Sequence, residues 1–282
     1  MEIARWESMR NAGRRWGWWG AGMGALIGMV VYAPASWLAQ AAGDLTGRRL
    51  LLAESRGTIW QGDAVAVLTG GVGSRDARAL PGRVNWTMRL QRAGLSLTLQ
   101  HDCCMPAPVV VLVSLGMGRI KTDVRLQASS MDNSVAAMQN HGEIGHWPAA
   151  WLGGLGTPWN TLQLGGVVRV SASDLSIEAV QGRVRMQGQA DLALDNVSSR
   201  VTTLDHLGSY RLDLSGDAQG QLQISMSTVD GPLQLSGQGG MSPGGMRFRG
   251  EARASEAEKD ALDNLLNIIG RREGDRSVIS IG

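Results

Sequence analysis

Two short runs in this 282-residue chain carry residue types able to do chemistry. The first is His141-Gly-Glu143-Ile-Gly-His146, where two histidines and a carboxylate lie close together, the natural suspect for a metal. A zincin helix needs histidines four apart with a glutamate beside the first. These stand five apart in a stretch broken by glycine, and no nearby cysteine completes four ligands. The spacing predicts a solvated loop. The second run, His101-Asp102-Cys103, contains the names of a catalytic triad, but neighbours along a strand point to opposite faces and cannot converge on one substrate.

Cys103 and Cys104 are the only cysteines, which excludes a disulfide framework and a cysteine zinc finger. They read as unpaired thiols in a loop in preference to a vicinal bridge, and neither has a partner to make it a nucleophile. There is no phosphate-binding glycine loop with its lysine, no nucleophile elbow and no distinctive carboxylate pair. The expectation is a protein with no catalytic residue, no cofactor and no metal. The net charge of +2, with basic residues scattered and largely balanced by acids, argues against nucleic acid as a partner.

The elements that carry these residues must be strands. Charged residues make up 18% of the chain, below the roughly 25% usual for soluble domains. The 39 glycines are close to twice the average share of about 7%, which suits many short strands joined by turns. Four of the ten tryptophans, Trp6, Trp16, Trp18 and Trp19, crowd the first twenty residues, a membrane-interface pattern.

From Trp16 to Gly43 there is no charged side chain, and Trp16 to Tyr32 is apolar apart from glycines, near the ~20 residues that cross a bilayer as a helix. Arg5, Arg10, Arg14 and Arg15 against Glu2 and Glu7 keep the N-terminus in the cytoplasm and put the rest outside. Ala33-Pro34-Ala35 mimics a signal-peptide cleavage site. The proline within it and the helix-favouring run to Ala42 favour an uncleaved anchor. Gly20, Gly24 and Gly28 fall on one helix face, where another membrane helix can approach; glycine-rich composition is the plainer explanation.

After Pro34 the period becomes two. Val184, Met186, Gly188, Ala190, Leu192 and Leu194 alternate with mainly polar residues, as do Tyr210, Leu212 and Leu214, then Leu222, Ile224 and Met226. One apolar and one wet face is the mark of antiparallel sheet. Strands are predicted near 49–55, 57–68, 83–90, 94–101, 109–115, 119–127, 161–171, 174–180, 183–194, 208–215, 220–227, 232–239 and 245–253. Met131 to Gln139 reads as a short amphipathic helix. Ser255 to Ile269 reads as a second, with Ser255 and Glu258 as a capping box, Leu262, Leu265, Leu266 and Ile269 on one face, and Gly270 at its end. Arg271, Arg272 and Arg276 follow it and complement the helix dipole, or form a docking surface.

The fold expected is mainly β, an antiparallel meander, curved or sandwich-like, with one N-terminal transmembrane helix and a C-terminal amphipathic helix. Its parts are a cytoplasmic N-terminus (1–15), the transmembrane helix (16–33) and a short helix or linker (34–47). A β-rich half (48–140), a Trp-, Pro- and Gly-rich joint (141–160) and a second β-rich half (161–282) follow. Trp60 and Trp86, with Leu262, Leu265, Leu266 and Ile269, are expected in the core.

Several stretches resemble one family, the type II secretion system protein N of Gram-negative bacteria. They are Gly57-Thr58-Ile59-Trp60-Gln61-Gly62, Leu80-Pro81-Gly82-Arg83-Val84-Asn85-Trp86, and Gly208-Ser209-Tyr210-Arg211-Leu212. The most specific is the tail, Thr228-Val229-Asp230-Gly231-Pro232-Leu233 through Ala261-Leu262-Asp263-Asn264-Leu265-Leu266-Asn267-Ile268-Ile269-Gly270-Arg271-Arg272. The resemblance implies a non-enzymatic accessory of the machine that exports folded proteins across the outer membrane. Its implied partners are other secretion-system subunits of the inner membrane and periplasm, with inner-membrane lipid around the anchor. Read physically, the shared motifs are fold-making.

A second reading is a lipid-binding or lipid-transfer module, because one-sided strands with small residues such as Gly188, Ala190, Gly250 and Ala252 on the apolar parity can curl into a greasy trough. The discriminator is whether the terminal helix covers that face.

Overall fold

The computed structural model describes residues 19–92, 94–127, 138–180, 183–217, 219–242 and 245–281. Trp6, Trp16 and Trp18, the charged residues expected before the membrane, and residues 131–137 of the expected amphipathic helix lie outside that set. The described chain opens with helix α1 (residues 19–31), breaks at Tyr32 to Pro34, and resumes as α2 (Ala35–Leu45). Pro34 sets the break: it is extended, with φ −69° and ψ 148°, and it has no N–H to continue a helix ladder. No helix among the described residues is long and apolar enough to cross a membrane.

Everything else is built on one 17-stranded antiparallel sheet. The first half contains β1 (Leu50–Gly57), β2 (Gln61–Thr69), β3 (Ala77–Ala79), β4 (Val84–Gln91), β5 (Gly94–His101), β6 (Val109–Gly116) and β7 (Arg119–Gln127). β2 pairs with β1 on one edge and with β3 and β4 on the other, and β4 to β7 pair in sequence order. Two residues of the expected helix, Met138 and Gln139, instead form the short strand β8, against the end of β7.

β9 (His141–Pro148) then runs beside the first part of β10 (Leu164–Val180), whose second part pairs with β7 on the same edge. This corrects the expectation of a solvated loop from His141 to His146. Its Gly, Trp and Pro content hides a strand that is specified by backbone pairing, with little apolar alternation to reveal it. A 3₁₀ helix (Ala149–Leu155) and a single turn, α3 (Trp159–Leu162), complete that passage.

β10 is one strand where two were expected. The expected break between residues 171 and 174 is absent, and a bulge follows it: Asp174 has φ 50° and the register with the next strand shifts between Ser173 and Ser176. Opposite it Gly188 has φ 79°, and any Cβ there would overlap the Asp174 carbonyl, so glycine is required for the two backbones to stay paired. From β10 the sheet continues through β11 (Arg183–Ser199), β12 (Gly208–Gly216), β13 (Leu222–Asp230), β14 (Leu233–Ser242) and β15 (Gly245–Ala254) as a meander.

A 3₁₀ turn (Glu256–Glu258) leads into α4 (Lys259–Ile269), and a hairpin of β16 (Arg271–Glu273) and β17 (Arg276–Ile281) returns to pair with β15. Two details of the expected helix differ. Neither Ser255 nor Glu258 makes a side-chain cap, and the regular α-helix begins only at Lys259; Gly270 ends it as expected, in extended conformation, because the chain goes straight into β16.

Two apolar clusters hold the sheet. The larger joins Val168, Val197, Tyr210, Leu233 and Ala252 of the strands to Leu262, Leu265 and Leu266 of α4. The smaller lies beneath α2, where Ala35 meets Ala64 and Trp86, with Leu38, Leu52 and Met88 around them. Burying each α4 leucine contributes about 1.5–3 kcal/mol. The Tyr210 hydroxyl sits between the carbonyls of Leu207 and Leu233, at 3.1 and 3.0 Å, and burial, then the Asp230 charge, pushes its pKa well up.

Candidate functional site

The Gly57 to Gly62 and Leu80 to Trp86 motifs meet at one place, the joint between the N-terminal helices and the sheet. The turn from β1 to β2 lays its backbone against the break between α1 and α2. Pro34 bridges to Thr58, and the Ile59 N–H donates to the Ala33 carbonyl at 2.9 Å. Trp60 adds a side-chain bond, its Nε1–H donating to the Val30 carbonyl at 2.8 Å.

Trp60 was expected as a core residue on a strand. It lies instead in the turn, half-buried, and its indole faces the helix end. Trp86 is the buried ring beneath, and its Nε1–H donates to the Thr58 carbonyl at 3.3 Å. Gly62 makes room for it: a Cβ there would stand 2.6 Å from Trp86 Cζ2. Beside the joint, Arg83 pairs with Asp63 and reaches the Glu54 carbonyl at 2.5 Å and carboxylate at 3.3 Å, tying β1, β2 and β4 together.

Along α1 the side chains are bare. Trp19, Met23, Leu26, Ile27, Met29 and Val30 are exposed, and a Cβ on Gly20, Gly24 or Gly28 would meet nothing within 4 Å. In α4, Leu262, Leu265 and Leu266 are buried, and Ile269 is partly buried against the same cluster. Arg271, Arg272 and Arg276 sit on the β16–β17 hairpin. Arg272 pairs with Asp263 of α4 at 2.7 Å, and Arg276 with Glu251 of β15 at 3.1 Å.

The His141 to His146 run divides. His146 Nδ1 and Glu143 Oε1 are 2.7 Å apart, and Glu143 also lies 3.8 Å from Arg169. Residues three apart on a regular strand face opposite ways; here the β9–β10 register shifts between Val170 and Ser171 and brings the two together. His141 stands at the far end, opposite Ser173, and takes no part.

In the second run His101 and Cys103 come together with Cys104, while Asp102 stays outside, so the triad of the sequence does not form. β5 ends at His101, and the next residues turn: the Cys104 and Met105 N–H groups both donate to the His101 carbonyl, at 3.2 and 3.0 Å. The strand argument does not apply beyond His101, where the strand stops. Cys103 and Cys104 are joined as a vicinal disulfide, correcting the expectation of free thiols. One ligand atom from each of His101, Cys103 and Cys104 lies within 4.8 Å of the others, and this is the one such trio of possible metal ligands among the described residues. Burial lowers the His101 pKa, against the smaller opposing effects of Asp102 and the Pro81 backbone. The signal that would have revealed this turn is Pro106, which a continuing paired strand would not tolerate.

No curated protein and no solved structure matches the chain significantly. Among protein families, residues 48–279 match the one described as Type II secretion system (T2SS), protein N. That match spans the body from just before β1 into β17, including the Trp60–Trp86 joint and the α4 tail. The chain therefore belongs to the type II secretion system protein N family.

Proposed function

We propose that this type II secretion accessory is held in the inner membrane by its N-terminal helix, and that its sheet works in the periplasm by contacting other secretion subunits. The observation that carries this reading is α1, whose apolar side chains point away from the protein while its end is fastened to the sheet through Trp60 and Pro34. An apolar helix left uncovered by its own fold calls for another environment, and a bilayer fits the uncharged run from Trp16 to Gly43. Glycines 20, 24 and 28 would lie on its surface, open to a neighbouring membrane helix.

The sheet is open, ending at β1 on one side and at the β16–β17 hairpin on the other. β1 has eight residues and one strand partner among the described residues, and the part of its outer edge left beside α2 and the bulge between Ala53 and Arg56 is where a strand of a partner would add. A lipid trough gains no comparable support. α4 covers the apolar face of the second half, and the recess of about 870 Å³ over β13 to β15 carries Arg249, Glu251, Glu273 and Arg276.

The test is topology together with secretion. A reporter fused after Gly282 should be active only as a periplasmic enzyme, the protein should resist carbonate extraction, and its N-terminus should not begin at Ser36. Release by carbonate, or processing to Ser36, would overturn the anchor. Deleting the gene should abolish or reduce export of folded substrates while leaving them in the periplasm; unchanged export would overturn the secretion role of this chain.

A further inference from the structure

His101 is 1% exposed, and neither its Nδ1 nor its Nε2 makes a hydrogen bond of regular geometry, the Pro81 backbone acting on the ring from nearby. Buried polar nitrogens are almost always satisfied, so a ring without a regular bond at either position asks for a ligand. The space beside it is kept by Gly82, whose φ is +85°; a Cβ there would stand 3.3 Å from Nε2 and 4.0 Å from the Cys103 Cβ. The turn carrying the sulfurs is pinned from the far side, where the His146 N–H donates to the Cys104 carbonyl at 2.8 Å. Cys104 is buried beside the ring, while Cys103 is exposed and gives access from solvent.

As a disulfide the two sulfurs are not thiolates and make poor ligands. Thiol–disulfide exchange with an external dithiol changes this. The dithiol gives up two electrons and two protons and becomes a disulfide, the Cys103–Cys104 S–S bond breaks, and two thiols are left beside His101. A cation then displaces both thiol protons to solvent.

We propose that the reduced turn binds one Cu(I) ion through the His101 imidazole and the Cys103 and Cys104 thiolates, and that the vicinal disulfide is the closed form of the same site. Two sulfurs and one imidazole form a soft donor set. No fourth His, Cys, Asp or Glu joins the trio among the described residues, so Zn(II) would need a water to complete four ligands, whereas Cu(I) is complete with three. Asp102 lies outside the trio, so hard, oxygen-seeking cations have no hold there.

The test uses the full chain in detergent, reduced with a phosphine, freed of reductant without oxygen, and titrated with Cu(I) against a chromophoric Cu(I) chelator. The reduced protein should take up one Cu(I) per chain and the oxidised protein none. X-ray absorption of the loaded protein should show two sulfur neighbours and one nitrogen. Cys103→Ser and His101→Gln should each weaken binding by more than about tenfold. Uptake that is equal in the Cys103→Ser/Cys104→Ser double variant, a coordination shell without nitrogen, or tighter binding of Zn(II) than of Cu(I) would each overturn the assignment. Should His101→Gln fail to fold, the spectrum of the loaded wild-type protein decides the point.

Discussion

The indole Nε1 of Trp60 donates a hydrogen bond to the carbonyl oxygen of Val30, 2.8 Å away and thirty residues earlier in the chain. That carbonyl belongs to the last turn of α1, where carbonyls have no helical partner ahead of them. A side chain of the β1–β2 turn thus joins the Ala33 N–H, which donates to the same carbonyl at 3.5 Å, and fixes where the helix leaves the body.

Removing that donor should loosen the joint and spare the sheet. Trp60→Phe keeps a large ring and loses one neutral hydrogen bond, a change of about 0.5–1.5 kcal/mol. Spin labels at Tyr32 and Gln61 should give a broader distance distribution in the variant, with the melting temperature of the body nearly unchanged. An equally narrow distribution would show that Pro34 and Ile59 hold the joint unaided.

Trp86 should matter far more to stability. Trp86→Ala should cost about 3–5 kcal/mol, because a buried ring is lost and a cavity remains beneath α2. Gly62→Ala should cost about 1–3 kcal/mol, since the new Cβ would press on the Trp86 ring and on the Arg56 carbonyl. Denaturant unfolding measures both, and the ranking Trp86→Ala above Trp60→Phe is the part that must hold.

The α4 cover is tested by Leu266. Its side chain is wholly buried, and the Ser277 hydroxyl donates to its carbonyl at 2.5 Å, so helix and terminal hairpin are fastened to each other. Leu266→Ala should cost about 2–5 kcal/mol. Leu266→Asp should leave a protein that aggregates or is degraded, because an unpaired carboxylate is forced into the cluster. If Leu266→Asp stays folded and soluble and loses only secretion, α4 is a docking element.

One pair of carboxylates gives a pH dependence with a definite sign. Asp213 faces Asp191 across β11 and β12, and its pKa is raised by desolvation first and by Asp191 after that. A raised folded-state pKa favours the protonated form in the fold. Its contribution is complete below the unfolded pKa and is lost as the pH rises through the folded value. Asp213→Asn should therefore raise the melting temperature at pH 7, and the gain should vanish below about pH 3. A gain of equal size at both pH values would point to a cause other than ionisation.

Much of the architecture was legible because it rests on periodicity. Leu262, Leu265 and Leu266 fall on one helical stripe, and the alternations of β11 and β12 mark a one-sided sheet, so both are visible without coordinates. What was not legible depends on where regularity stops. Residues 161–171 and 174–180 read as two strands and are one with a bulge at Asp174, because only the paired backbone opposite, opened by Gly188, shows that the strand continues. Glu143 and His146 meet through a register shift that no spacing rule contains. His101 and the cysteines were separated by a strand argument that holds only while the strand lasts, and Pro106 was the sign that it does not.

The central claim is that this chain serves type II secretion by touching other subunits of the machine from an anchored position in the inner membrane. A photocrosslinking amino acid placed at Arg56, exposed on the edge strand β1, reports on it most directly. Crosslinked in intact cells that are exporting substrate and purified from solubilised membranes, the protein should carry defined adducts with type II secretion subunits, lost when the other secretion genes are deleted. Adducts to lipid alone, or the same adducts in cells lacking the rest of the machine, would contradict the account.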